Sequence, residues 1–136
     1  MPDTSPRGTR IAHIGIAVES IAALLPFYRD VLGLPQVPLA DSDGARIAGL
    51  AAGDSLVELL EAVSPNSPTG KFVAKRGQGI HHVCFAVDDL DAAVERCRSA
   101  GIRLIDETPR IGAEGKRIAF LHPSATGGVL VELSDY

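Results

Sequence analysis

The stretch His13-Ile-Gly-Ile-Ala-Val-Glu-Ser-Ile21 returns in pattern as His82-Val-Cys-Phe-Ala-Val-Asp-Asp-Leu90. In each, a His opens a mostly apolar run, a Val and an acidic residue follow, and a helical pattern begins. Two later matches keep the same order: Ile47-Ala-Gly-Leu50 with Ile118-Ala-Phe-Leu121, and Val57-Glu-Leu59 with Val131-Glu-Leu133. Matches in constant order with slightly widening spacing point to a duplicated unit that has taken up loop insertions.

Each unit reads the same way outward from its His. An apolar alternation predicts a strand over 10–18 and another over 80–87. A helix is predicted from Ile21 to Val31, with Leu24, Leu25, Phe27, Tyr28, Val31 and Leu32 near one face, and another from Leu90 to Ala100, with Leu90, Ala93, Val94 and Cys97 together. Glu19 and Ser20 start the first helix, and Asp88 and Asp89 the second. Gly33 and Gly101 stand where helices end. Three short strands complete each unit, near 35–39, 44–51 and 55–61, then 103–106, 117–121 and 128–133. The expected fold is α+β: two βαβββ units, about 9–63 and 79–134, forming a curved mixed sheet around a central site. They make a single domain over 9–136, preceded by a flexible N-terminus of residues 1–8. A linker between the units carries a short helix from Ser67 to Lys75.

Composition narrows the function. The chain has 136 residues, 46% of them hydrophobic, enough for one core without disulfides. Cys84 and Cys97 read as reduced, partly buried side chains. With 13 Lys and Arg against 17 Asp and Glu, and 4% aromatic residues, there is no basic, stacking surface for nucleic acid. No apolar run reaches the roughly 20 residues of a membrane helix, and the polar start lacks a signal peptide's apolar centre. The expectation is a soluble, cytoplasmic protein with no nucleic-acid or membrane partner.

Strand parity nominates a site. Ala12, Ile14, Ile16 and Val18 share the face suited to helix cover; His13, Gly15 and Ala17 share the other. In the second unit Val83, Phe85 and Val87 face the helix, and His82, Cys84 and Ala86 face away. Each His is followed on its own face by small residues, which leave room for a cavity. Glu58 and Glu132 stand at equivalent places inside apolar strands, where an unpartnered carboxylate is costly. A pseudo-two-fold arrangement would gather His13, Glu58, His82 and Glu132. Imidazole and carboxylate ligands suit a divalent ion such as Co, Mn, Ni, Zn, Fe or Mg, and four ligands leave positions open for a chelating substrate. His81, of opposite parity, is expected to point away and at most to hydrogen-bond to a ligand. Glu61 is expected in solvent, and His122 in a loop.

These stretches resemble the vicinal-oxygen-chelate superfamily. Val57-Glu-Leu-Leu-Glu61, Ser64-Pro-Asn-Ser-Pro68, Lys75-Arg-Gly-Gln-Gly-Ile-His-His82, Gly115-Lys-Arg-Ile-Ala-Phe-Leu-His-Pro123 and Gly127-Gly-Val-Leu-Val-Glu132 resemble, more closely, its methylmalonyl-CoA epimerase family. The likeness runs from about residue 9 to 134. It implies a homodimer that binds a divalent metal through His13, Glu58, His82 and Glu132. It also implies interconversion of (R)- and (S)-methylmalonyl-CoA through an enolate. Glu132 is the expected first catalytic base and Glu58 the second, with Lys116 and Arg117 expected to meet the phosphates of the acyl-CoA substrate. Some family members carry a further Glu on the strand before that of Glu58; here Ile47 stands in its place. The alternatives are a glyoxalase I-type lactoylglutathione lyase and a non-enzymatic small-ligand-binding protein of the same fold.

Overall fold

A computed structural model describes residues 8–136. The expectation for the N-terminus falls on residues 1–7, outside the described residues, and on Gly8, whose N–H donates to Asp88 Oδ2. The elements run β1 (Arg10–Val18), α1 (Ile21–Leu25), a π-helical turn (Pro26–Val31), β2 (Gln36–Val37), β3 (Ala45–Ala52) and β4 (Ser55–Ala62). After α2 (Pro68–Arg76) come β5 (Gly79–Ala86), α3 (Leu90–Ser99), β6 (Arg110–Ile111), β7 (Arg117–Leu121), a 3-10 turn (Pro123–Ala125) and β8 (Val131–Ser134). All eight strands join one sheet in the order β2-β3-β4-β1-β5-β8-β7-β6. Read from its centre, each half repeats the other: β1 lies parallel to β4 and β5 parallel to β8, while β1 and β5 meet antiparallel. No helix among the described residues is long and apolar enough to cross a membrane.

α1 and α3 cover one face of the sheet. Leu90, Ala93 and Val94 of α3 pack on Leu104, Ala119, Leu121 and Leu133. On the other half Ile21, Leu24, Leu25 and Tyr28 pack on Val18, Ala48, Leu50 and Leu59. Caps form where the sequence suggests: Ser20 Oγ accepts from Ala23 N, Asp89 Oδ1 from Ala92 N, and Ser67 Oγ from Gly70 N. Glu61, expected in solvent, instead accepts the Ile21 N–H and pairs with Arg46, so it helps start α1. His122 Nδ1 accepts from Ser124 N in its loop.

Two expected elements differ. The first helix is α-helical only to Leu25, because Pro26 has no N–H to donate and its ring crowds the preceding turn. The chain widens into a π turn that leaves Phe27, Val31 and Leu32 exposed rather than on a buried face. The strand expected over 103–106 is a single bridge, Leu104 to Leu121. Ile105 and Asp106 both donate their N–H to the Phe120 carbonyl and His122 donates to the Arg103 carbonyl, so the segment pairs only around that bridge. Pairing resumes beyond Pro109, as β6 at Arg110–Ile111.

Two register shifts in the β1–β5 pairing revise the parity reading. One leaves Ala12 as an extra residue beside His13, and Ala12 packs with Cys84 and Ala86 rather than under a helix. The other skips His81, which is thereby turned toward the cavity beside His82 instead of away from it.

Candidate active site

The central antiparallel pair places His13 opposite Cys84 and Gly15 opposite His82. The outer parallel strands add Glu58 next to Gly15 and Glu132 next to Cys84. All four expected site residues, His13, Glu58, His82 and Glu132, are buried and line one cavity of about 200 Å³. Gly15 makes the packing possible: a Cβ there would overlap the His82 ring.

The donor atoms converge tightly. His13 Nε2 lies 3.0 Å from His82 Nε2 and 2.9 Å from Glu132 Oε1, and His82 Nε2 lies 3.1 Å from the same oxygen. The imidazoles meet edge to face, centroids 5.1 Å apart. On the other side of the ring, His13 Nδ1 is 3.3 Å from Glu58 Oε2 and 2.5 Å from Glu114 Oε2. Glu58 Oε2, by contrast, has no aligned hydrogen bond although it is buried. Such an orphaned polar atom calls for a missing partner. Adjacent ligands of a six-coordinate ion with bonds of about 2.1 Å stand about 3 Å apart, the spacing of the His13, His82 and Glu132 atoms. His13, Glu58 and His82 also lie close enough together to share an ion. The residues present therefore fit a divalent metal.

His82 is oriented from behind. Its Nδ1 is 2.9 Å from His81 Nδ1, and its ring meets Phe120 edge-on. Burial, and then the neighbouring His82, push His81 down to about 4, so it is neutral near pH 7. A neutral ring behind a ligand imidazole can fix its orientation, the part played at metal sites by the group bonded to the ligand's second nitrogen.

The carboxylates differ sharply. Burial favours the neutral form of Glu132, but hydrogen bonds from His13 and His82 and their charges outweigh it and bring its pKa to about 2. Glu58 is dominated by burial, with the attraction of His13 smaller, and rises to about 8. Burial would lower His13; hydrogen bonds to Cys84, Glu114 and Glu132 and the charge of Glu58 overcome it and raise the imidazole to about 12 in the ion-free protein.

Two site residues escaped the sequence reading. Glu114, in the loop between β6 and β7, reaches His13 and lines the cavity. Hydrogen bonds with His13 and Glu58 overcome its burial and lower its pKa. It lies in a loop just outside the matched strands, opposite Asp43 at the spacing of the Ile47 and Ile118 match, so strand parity did not nominate it. The sequence puts Cys84 on the face of His82 only as a small residue that leaves room. It lies among His13 and Glu132, and burial pushes its pKa up. Ile47 does line the cavity, as an apolar wall.

Of the two residues expected to meet phosphates, only Lys116 reaches the cavity. Arg117 has the opposite strand parity. Its Nη2 and Nη1 bond Asp91 at 2.6 and 3.2 Å on α3, so the structure places it on the helix side of the sheet and not at the site.

A curled mixed sheet with paired His and Glu on its inner face defines a class. The sequence profile of the Glyoxalase/Bleomycin resistance protein/Dioxygenase superfamily matches residues 12–120, and the chain belongs to that superfamily. Within it, the chain is 39% identical over 130 residues to the mitochondrial methylmalonyl-CoA epimerase of Bos taurus, covering 93% of this chain and 74% of that one. It is 38% identical to the ethylmalonyl-CoA/methylmalonyl-CoA epimerase of Cereibacter sphaeroides, covering 93% and 97%. A solved methylmalonyl-CoA epimerase in complex with methylmalonyl-CoA and NH4+ superposes with a TM-score of 0.89 at 39% identity, covering 93% of this chain and 94% of that one. These likenesses place the chain in the methylmalonyl-CoA epimerase family.

Proposed function

We propose that this protein is an epimerase that interconverts (R)- and (S)-methylmalonyl-CoA. The observation that carries the reading is the convergence of His13, His82, Glu58 and Glu132 on one buried cavity, in a chain whose relatives act on that substrate. The carbon between a carboxylate and a thioester loses its proton to give an enolate, and return of a proton to the other face inverts it.

His13, Glu58, His82 and Glu132 would hold the ion, with cobalt, manganese, nickel, zinc and magnesium as the candidates. When bound, a divalent cation supplies a positive charge that stabilises the enolate oxygens. The remaining chemistry belongs to side chains. Glu132, ionised, takes the proton on one face; Glu58, from the other half, serves the opposite face. His81 fixes the ring of His82. The apolar side chains of Ile47, Leu60, Ile118, Phe120 and Leu130 keep water from the reacting carbon. We assign a homodimer in the cytoplasm as the working assembly and location.

The test is proton NMR of methylmalonyl-CoA in deuterated buffer with the metal-loaded protein. The signal of the central C–H should vanish and the two epimers should equilibrate. Methylglyoxal with glutathione should give no turnover. Turnover of methylglyoxal with glutathione, with no exchange at the malonyl carbon, would overturn the assignment.

A further inference from the structure

The segment between β6 and β7 closes as a tight hairpin. Gly115 N–H donates to the Gly112 carbonyl at 3.0 Å and Gly112 N–H to the Lys116 carbonyl at 2.9 Å, with Gly115 left-handed at φ 75°. This turn explains Gly115 but places no demand on Glu114, which stands at the tip. Loop side chains normally face water, yet that of Glu114 is only 17% exposed and lines the cavity. Burying a carboxylate is costly without a partner. The partner is His13 Nδ1, 2.5 Å away and nearer to Glu114 than to Glu58 Oε2 at 3.3 Å. A ring nitrogen carries at most one proton, so it serves one carboxylate. With Glu114 in that place, Glu58 Oε2 stays unbonded and open to an ion. The hairpin is also tied to the far edge of the sheet. β2 and β6 are its opposite ends, yet the Ala113 carbonyl accepts from Ala40 N at 3.2 Å and Arg110 pairs with Asp43 at 3.1 Å. Asp43 is the counterpart of Glu114 at the spacing of the Ile47 and Ile118 match. Each of these acids thus grips the other half, Asp43 through Arg110 and Glu114 through His13.

We propose that Glu114 is a positioning residue. From the hairpin tip its carboxylate holds the His13 ring by Nδ1, keeps Nε2 turned toward His82 and Glu132, and leaves Glu58 for the ion. Through the same contact, occupancy of the ion site is coupled to the seating of the hairpin against the Ala40 loop. The assignment rests on the divalent-ion reading above and not on the identity of the substrate.

The test uses cobalt(II) alone, with no substrate. By calorimetry on the ion-free protein, Glu114→Ala should bind the ion about ten- to a hundredfold more weakly than wild type, the usual worth of a group behind a ligand. Glu114→Gln keeps an acceptor for the ring N–H and should lose less. Glu114→Leu fills the space without an acceptor and gives the same readouts as Glu114→Ala should the alanine variant not fold. In the cobalt-loaded protein the ring N–H protons of ligand histidines give strongly shifted proton NMR signals. Loss of Glu114 should speed solvent exchange of the His13 signal and spare that of His82, which His81 backs. Amide hydrogen exchange reads the coupling. The ion should slow exchange of the Ala40 N–H, which the Ala113 carbonyl accepts, in wild type and not in Glu114→Ala. An unchanged affinity in Glu114→Ala, equal changes at both ring signals, or ion-slowed Ala40 exchange that persists in the variant overturns the assignment. Failure of the epimerase reading is separate. If cobalt binds as described while methylmalonyl-CoA is not turned over, that reading fails and the role of Glu114 stands; if wild-type protein binds no cobalt, the role of Glu114 fails whatever the turnover.

Discussion

His13 and His82 stand 69 residues apart on matched strands, yet the two halves treat them differently. His82 has His81 behind its Nδ1, while His13 turns its Nδ1 toward the carboxylates of Glu58 and Glu114. Glu132 accepts from both imidazoles; Glu58 accepts from neither in line. The residue two places after each His completes the contrast. Gly15 opens space for His82, and Cys84 fills the space beside His13. Duplication therefore copied the backbone positions of four polar groups and left their environments unequal. Unequal environments are what proton transfer in two directions requires, since pairs of carboxylates pushed apart in pKa take different roles.

The largest expected effect tests the second half. Glu132→Ala should slow exchange of the substrate's central proton by about 10²- to 10⁴-fold, the usual worth of an acid/base group, as read by deuterium incorporation. Near-normal exchange in that variant would remove Glu132 from the mechanism. The matched experiment in the first half is Glu58→Gln. If the two carboxylates serve opposite faces, epimerisation stops while one epimer still exchanges its proton with solvent. Equal loss from both epimers would show that the halves do not divide the faces.

His13→Ala should lower bound metal at least about tenfold at matched free ion, measured by elemental analysis. Gly15→Ala tests the small-residue asymmetry directly. The added methyl displaces the His82 ring and should cost about 1–3 kcal/mol of stability by denaturant unfolding. Cys84→Ala, at the matched place, should not displace His13.

The smallest effect is on pH dependence in the ion-free protein. Glu58 is raised from 4.5 to about 8 and His13 from 6.5 to about 12 by folding. Groups raised in this way stabilise fully below their unfolded values and lose that contribution as pH climbs through 4.5 to 8 and 6.5 to 12. Glu132, lowered from 4.5 to about 2, stabilises above pH 4.5 and loses that as pH falls toward 2. The melting temperature without metal should thus peak in the mildly acidic range and decline toward pH 8. The gain in melting temperature on adding a divalent ion should run the other way and grow with pH, because ligands must shed protons to bind it. A parallel rise with and without metal would contradict the burial of these groups.

Much of the fold was legible because two signals are local. Apolar alternation marked β1 and β5 nearly to the residue, and Ser20, Ser67 and Asp89 cap helices from inside the turns they start. Pro26 was visible too, but its effect on the helix depends on a competition between backbone bonds that periodicity does not weigh. The expected strand at 103–106 failed for a tertiary reason: Asp106 is used to hold Arg110 Nε and the Phe120 N–H.

From residue order alone came the duplication, the two His and two Glu at equivalent places, and the small residues that leave them room, since strand parity and repetition are properties of the chain itself. Folding in three dimensions decided the rest. A skipped residue in the β1–β5 register turned His81 inward, a loop from the far edge of the sheet delivered Glu114, and parity tied Arg117 to α3. Contacts between residues distant in sequence, and the field each makes at its neighbour, exist only once the sheet has curled.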